Sequence, residues 1–319
     1  MTDNMPQVPI KTGNSGNFRY FLRQLKEQKY LQAMAIPGII WMFIFCYIPM
    51  YGITIAFKNY DIAGTFSQAP WAGFEHFIEF FGDEKFSIVL KNTIGISLWK
   101  LIIGFPLPII LALLLNELKS MAFKRVVQTV TYLPHFISWV VLGGIMMTWF
   151  EETGIGTQLL VQLGILKQPA FLFAEPNYFW SMAVATDVWK ELGWSAIIYL
   201  AAIAGIDQEM YEAAIVDGAG RFRRMWYITL PSIKPTIAIL FILAVSGLMN
   251  TNFDQIFVMK NSMNAPASEV LDIYVYRMGL QSYRFSYAAA IGLFRSVISL
   301  ILLIGANAFT KKLTDDSLF

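Results

Sequence analysis

The chain has 319 residues, 56% of them hydrophobic and only 14% charged, with 26 Phe, 9 Trp and a formal net charge of +2. Soluble domains carry about a quarter charged residues, so an ordinary soluble globular domain is excluded and the bilayer is the natural solvent. Cys46 is the single cysteine, which excludes an intrachain disulfide and any multi-cysteine metal site.

The first thirty residues are polar and hold Lys11, Arg19, Arg23, Lys26 and Lys29; no short apolar segment with a cleavage site precedes the first apolar run. Within this tail Phe18, Phe21, Leu22 and Leu25 recur at i, i+3, i+4 and i+7, the pattern of a helix lying in the membrane interface. Six apolar runs follow, near 31–57, 88–115, 126–150, 178–203, 236–259 and 287–309. Each exceeds the ~18 to 20 residues that a helix needs to cross the hydrocarbon core. The expected fold class is therefore all-α: an integral membrane protein of six transmembrane helices over 31–310, between tails at 1–30 and 311–319. Pro37, Pro49, Pro106, Pro108 and Pro134 fall within spans, where kinks are expected and neighbouring helices must satisfy the freed carbonyls.

An even number of spans puts both termini on one side. That side carries fourteen of the 24 Lys and Arg: the five in the tail, then Lys119, Lys124, Arg125, Arg221, Arg223, Arg224, Lys234, Lys311 and Lys312. The opposite side carries six, Lys58, Lys85, Lys167, Lys260, Arg277 and Arg284. Cytoplasmic loops retain positive charge, which places both termini in the cytoplasm. The outward loops 58–87, 151–177 and 260–286 are long and lack strong periodicity, as docking surfaces often are.

The chain has no GxxxxGK[ST] phosphate loop, no HExxH and no nucleophile–base set, so no chemistry, metal site or cofactor of its own is expected. His76 and His135 are the only histidines. His135 follows Pro134, where the common role of a lone His is to hydrogen-bond loosened backbone.

The inward loop 204–235 is the most informative stretch. Asp207 is placed to cap a helix whose first turn holds Glu209, and Met210, Ala213, Ala214 and Asp217 share a face at i, i+3, i+4 and i+7. A short helix with small residues on one face fits a groove of another protein. Gly218 and Gly220 permit a sharp reversal, and Pro231 and Pro235 mark the return to the membrane. Glu212-Ala213-Ala214, then Gly218, then Ile228, Leu230 and Pro231 match every specified position of the EAA signature. The chain thus resembles the permease subunits of bacterial type I ABC importers. IPMYG at 48–52, QTVTYLPHFISWV at 128–140, VWKELGWSAIIYLAAIAGID at 188–207, FDQIF at 253–257 and AIGLFRSVISLIL at 290–302 resemble the subfamily that handles complex oligosaccharides and polysaccharide fragments.

The resemblance implies five core helices around a translocation path, a first helix that wraps the partner, and a coupling helix seated in a groove of an ATPase. Glu212, Ala213, Ala214, Asp217, Gly218, Ile228, Leu230 and Pro231 are its coupling residues, with Glu212 meeting basic residues of the ATPase. It further implies a second permease subunit, two ATPase subunits carrying ATP and Mg, an extracytoplasmic solute-binding protein and a saccharide substrate, with no nucleic-acid partner. The rival reading, a stand-alone secondary transporter or channel for a polar solute, leaves the loop unexplained and requires inverted repeats that are not visible.

Intramembrane ionisable residues mark a path or a structural network. Asp187, Lys190 and Glu191 lie at i, i+3 and i+4 in the fourth span, within reach of mutual salt bridges. In the fifth, Ser246, Asn250 and Asp254 recur every four residues and so form one polar stripe along a helix, joined by the nearby Asn252 and Gln255. Asp187, Lys190, Glu191, Ser246, Asn250, Asp254 and Arg295 are candidate path residues, with interhelical glue as the alternative. Trp189, Trp194 and Phe253 offer faces for pyranose rings. Lys100 and Arg295 either compensate Asp187, Glu191 or Asp254, or attract a carboxylated sugar.

Overall fold

The computed structural model describes residues 28–314. The interfacial helix expected around Phe18–Leu25, with Lys11, Arg19, Arg23 and Lys26, lies outside them. The chain forms two compact units, the first ending at Thr54 and the second beginning at Ile55.

In the first unit, α1 (Lys29–Met42) contains Pro37 and continues through a wide π turn, Phe43–Tyr47, to Pro49. The turn has a local cause. Proline has no N–H, and its ring crowds the carbonyl one turn earlier, so widening the helix relieves the clash. The same arrangement recurs in the second unit, at Lys100–Gly104 before Pro106 and at Met225–Thr229 before Pro231.

The second unit contains α2 (Glu75–Gly82), α3 (Phe86–Trp99), α4 (Pro106–Asn116), α5 (Met121–Tyr132), α6 (Trp139–Trp149), α7 (Ile155–Gln162) and α8 (Pro176–Ala204). It goes on with α9 (Gln208–Val216), α10 (Arg221–Ser232), α11 (Lys234–Ser246), α12 (Phe253–Met259), α13 (Leu271–Tyr276) and α14 (Phe285–Thr314). Among the described residues the only β-pairing is an isolated bridge from Lys58 to Trp71. The outward loops, expected to be irregular, hold α2, α7 and α13.

Among the described residues, three stretches are long and apolar enough to cross a membrane: Lys29–Phe57, Phe86–Asn116 and Phe285–Lys312. At about 1.5 Å per residue, the 29 residues of α8 reach about 43 Å, enough to span despite the charges in its middle. The two remaining expected spans are not straight rods. Residues 126–150 bend by 102° between Phe136 and Trp139, where Pro134 ends one helix and the Ser138 hydroxyl caps the next by accepting from Val141 N. Residues 236–259 break at 247–252, between α11 and α12.

Helix α8 organises the core. Toward its N-terminus Phe179, Ala183 and Val184 pack with Ile96, Leu142, Met146 and Ile256. Toward its C-terminus Ala196, Tyr199 and Ile203 pack with Ala112, Leu113 and Ile233. Between them Gly193 lets α8 approach α5 so closely that a Cβ would collide with the Thr131 carbonyl. A third cluster joins Phe80, Val89, Tyr274 and Tyr287 beneath the outward loops.

Candidate translocation path and coupling loop

Helix α8 places Asp187 and Glu191 on a cavity of about 370 Å³, whose lining also includes Ser97, Lys100, Trp194 and Asn250. Asp187 pairs with Lys100 at 3.0 Å, not with Lys190 as the helical spacing allowed. The ammonium of Lys100 also donates to Gln255 Oε1 at 2.7 Å and to the Thr251 carbonyl at 3.2 Å. Gln255 in turn donates to the Ala183 carbonyl at 2.6 Å and to Thr186 Oγ1 at 3.0 Å. One lysine thereby ties together the end of α3, the middle of α8 and the break before α12.

That break corrects the expected polar stripe. Ser246, Asn250 and Asp254 do not share a helix: the chain leaves the helical path after Gly247–Met249, and Asn252 adopts φ 67, in the left-handed region. Ser246 turns its hydroxyl back onto the Leu243 carbonyl, Asn250 faces the cavity, and Asp254 is exposed in the first turn of α12. Non-helical backbone at membrane depth must find its hydrogen bonds in protein or line a cavity, and both occur here. Thr251 N and Oγ1 each donate to Asp272 Oδ2 at 3.2 Å. Asn252 caps α12 by accepting from Gln255 N, and its amide donates to Asp187 Oδ1 at 3.4 Å.

Arg295 pairs with Asp272, within the outward stretch 260–286, rather than with Asp187, Glu191 or Asp254. The signal was present: Asp272 is the one charge in the apolar run VLDIYVY. Lys190 is buried and donates to the His135 carbonyl at 2.5 Å, with Glu191 at 3.4 Å. The loosened backbone is thus partnered by Lys190 and not, as expected, by the His135 ring, which lies 2.7 Å from Glu191 through Nδ1 and stacks on Trp194 at 4.3 Å. Of the expected path residues, Asp187, Glu191 and Asn250 line the cavity; Lys190, Ser246, Asp254 and Arg295 are not in its lining. Trp194 lines it too, whereas Phe253 stacks on Phe257.

The inward loop folds as its residues dictate. Asp207 caps α9 by accepting from Glu209 N at 3.0 Å. The other end closes with Gly218 N on the Ile215 carbonyl at 3.0 Å and Ala219 N on the Ala214 carbonyl at 2.8 Å. This paired closure requires a left-handed residue after the helix, and Gly218 has φ 74. Tyr211 bonds Thr229 at 2.8 Å, tying α9 to α10. Glu212, Ala213 and Asp217 are exposed, Ala214 is half-buried, and Val216, not singled out from the sequence, is almost fully exposed. Glu212 also borders a cavity of about 400 Å³ shared with Lys119, Arg221 and Arg224. Ile228 is half-buried, Leu230 packs on the Ile203 cluster, and Pro231 is exposed.

Residues 104–315 match the family model of the binding-protein-dependent transport system inner membrane component. The chain belongs to this family. Protein LplB of Bacillus subtilis (strain 168) is 43% identical to it over 313 residues, 98% of this chain and 97% of LplB. The polygalacturonan/rhamnogalacturonan transport system permease protein YteP of the same organism is 41% identical over 299 residues, 93% of this chain and 92% of YteP. Among solved structures, a bacterial ABC transporter involved in the import of the acidic polysaccharide alginate is similar with a TM-score of 0.83 and 36% identity, covering 92% of this chain and 99% of that one. The same score and identity hold for the bacterial alginate ABC transporter in complex with alginate pentasaccharide-bound periplasmic protein, over 93% of this chain and 99% of that chain.

The permease is thus an all-α, multi-pass inner-membrane component with the ABC importer fold, and its relatives are transport proteins rather than enzymes. The region matched by the family model contains α8, the break and the whole inward loop, while Lys100 lies just before it.

Proposed function

We propose that this permease forms half of the path of an ATP-driven importer for oligosaccharides or polysaccharide fragments, and that a second permease subunit, a paralogue, completes the path. The observation that carries this reading is the cavity beside α8, where Asp187, Glu191, Asn250 and Trp194 set carboxylate, amide and indole groups within a membrane domain. Such groups match the donors, acceptors and apolar faces of a sugar. The names of the relatives support the substrate class, and the periplasmic protein in the alginate complex supports delivery by a solute-binding protein to the outward loops.

ATP and Mg reside on two separate ATPase subunits, and this chain needs no cofactor of its own. Closure of the ATPases draws the α9 helices together, and α9 transmits the motion through Tyr211 to Thr229 on α10 and so to the spans. Both termini lie in the cytoplasm, on the side rich in Lys and Arg. Solubilisation in mild detergent tests the assembly: ATPase subunits and a second permease should purify with this chain. Recovery of this chain alone, with substrate uptake intact, would contradict the assignment and favour a stand-alone transporter.

A further inference from the structure

We propose that α10 is a docking surface for the anionic headgroups of the bilayer, with Arg221 and Arg223 on lipid phosphates and Phe222, Trp226 and Tyr227 seated in the interfacial zone. The helix is two-faced. Its inner face places Met225 and Leu230 against the Ile203 cluster and buries Thr229 beneath Tyr211. On its outer face Phe222 and Trp226 lie one turn apart, as do Arg223 and Tyr227, and the three rings are 80%, 63% and 72% exposed.

Geometry selects the occupant. Only Ile233 separates α10 from α11, and the two are bent by 62°. Twelve residues at about 1.5 Å each make α10 about 18 Å long, so with α11 near the bilayer normal its far end rises only about 8 Å from the start of that span. The headgroup layer of one leaflet is about 5 to 8 Å deep, and Trp and Tyr gather at that depth because one end of each ring is apolar and the other polar. Charge agrees. Among the described residues Arg221, Arg223 and Arg224 form no ion pair, although Glu117 and Glu212 border the cavity that Arg221 and Arg224 line. Guanidinium groups bind phosphate through paired donors. Arg221, Phe222, Arg223, Trp226 and Tyr227 are not among the coupling residues, so the headgroup assignment does not rest on the importer reading.

The experiment places a bimane label at Tyr227→Cys in a Cys46→Ser background, with Phe222→Cys as a second site, in the complete complex reconstituted into phosphatidylcholine vesicles. Brominated phosphatidylglycerol and brominated phosphatidylcholine are compared as quenchers at equal bromine density. A basic residue near an anionic surface enriches anionic lipid severalfold, so quenching by the phosphatidylglycerol should be at least about twofold greater. Replacing Arg221 and Arg223 with Gln should remove that preference. Equal quenching by the two lipids, or a preference that survives the arginine replacements, overturns the headgroup assignment. Absence of lipid quenching at both sites shows that protein covers the face and overturns the proposal outright.

Discussion

Replacing Lys100 with Met tests the network that holds the broken span. Lys100 and Asp187 are 14% and 17% exposed, so the substitution leaves a largely buried carboxylate whose remaining partner is the Asn252 amide at 3.4 Å. Removing one member of a buried ion pair costs about 3 to 5 kcal/mol. Gln255 Oε1 and the Thr251 carbonyl also lose their donor, at about 1 kcal/mol or more for each group left unsatisfied. Lys100→Met alone should therefore destabilise by about 5 to 7 kcal/mol. Combining it with Asp187→Leu removes the orphaned charge and leaves only the lost hydrogen bonds, so the double variant should lie within about 2 kcal/mol of the parent. The double-mutant cycle then yields a coupling of at least about 2 kcal/mol, read from denaturant unfolding of the purified protein in detergent by tryptophan emission. Additive effects, or a Lys100→Met protein as stable as the parent, would refute the view that this ion pair pins the break.

Other expectations follow from the same contacts. Ala214→Trp, which overpacks a tight seat at a cost of about 1 to 3 kcal/mol, and Glu212→Lys, which reverses the charge that the family resemblance pairs with the ATPase, should leave the protein in the membrane but weaken ATPase recovery on pull-down; Arg223→Gln should not affect recovery. At Gly218 a Cβ meets open space but φ is 74, so Gly218→Val should lose ATPase-coupled hydrolysis through backbone strain while Gly218→Asn, which tolerates that region, retains most of it. Gly193→Val should lower the yield of folded protein by forcing α8 from the Thr131 backbone; normal yield and stability would contradict the close approach. Burial pushes the Asp83 carboxyl up, but hydrogen bonds from Tyr274 and the Lys85 amide outweigh it and hold its pKa below the ordinary value. Because the folded value is the lower one, the stabilisation is present above about pH 4 and is lost as pH falls through the folded pKa. Thermal unfolding of Asp83→Asn should accordingly fall less steeply with acid than that of the parent, and parallel curves would contradict the assignment.

Much of the inward loop was legible because its signals are local. An aspartate before a helix, a glycine after it and small residues on one face fix Gln208–Val216 and its caps without reference to the rest of the chain. The apolar run around α8 was equally plain. The bend after Pro134 was expected as a kink, though not its size of 102°; the break at 247–252 was not, because hydropathy does not register a change of backbone direction. Spacing of four made Ser246, Asn250 and Asp254 look like one stripe, although Gly247, Asn250 and Asn252 are all residues that favour leaving a helix. What decides between the two is tertiary: Asp187 and Asp272 supply acceptors, and Lys100 a donor, for a chain that has left its ladder. For the same reason Arg295 could not be matched to Asp272 by spacing alone.

Uptake into sealed vesicles tests the central claim most directly. The chain is reconstituted with its co-purifying subunits, with ATP on the cytoplasmic face and the cognate solute-binding protein on the other, and a labelled oligosaccharide is followed. Accumulation should require ATP, the binding protein and an intact Glu212, and should exceed the outside concentration. Accumulation that proceeds without ATP or without the ATPase subunits would contradict the account.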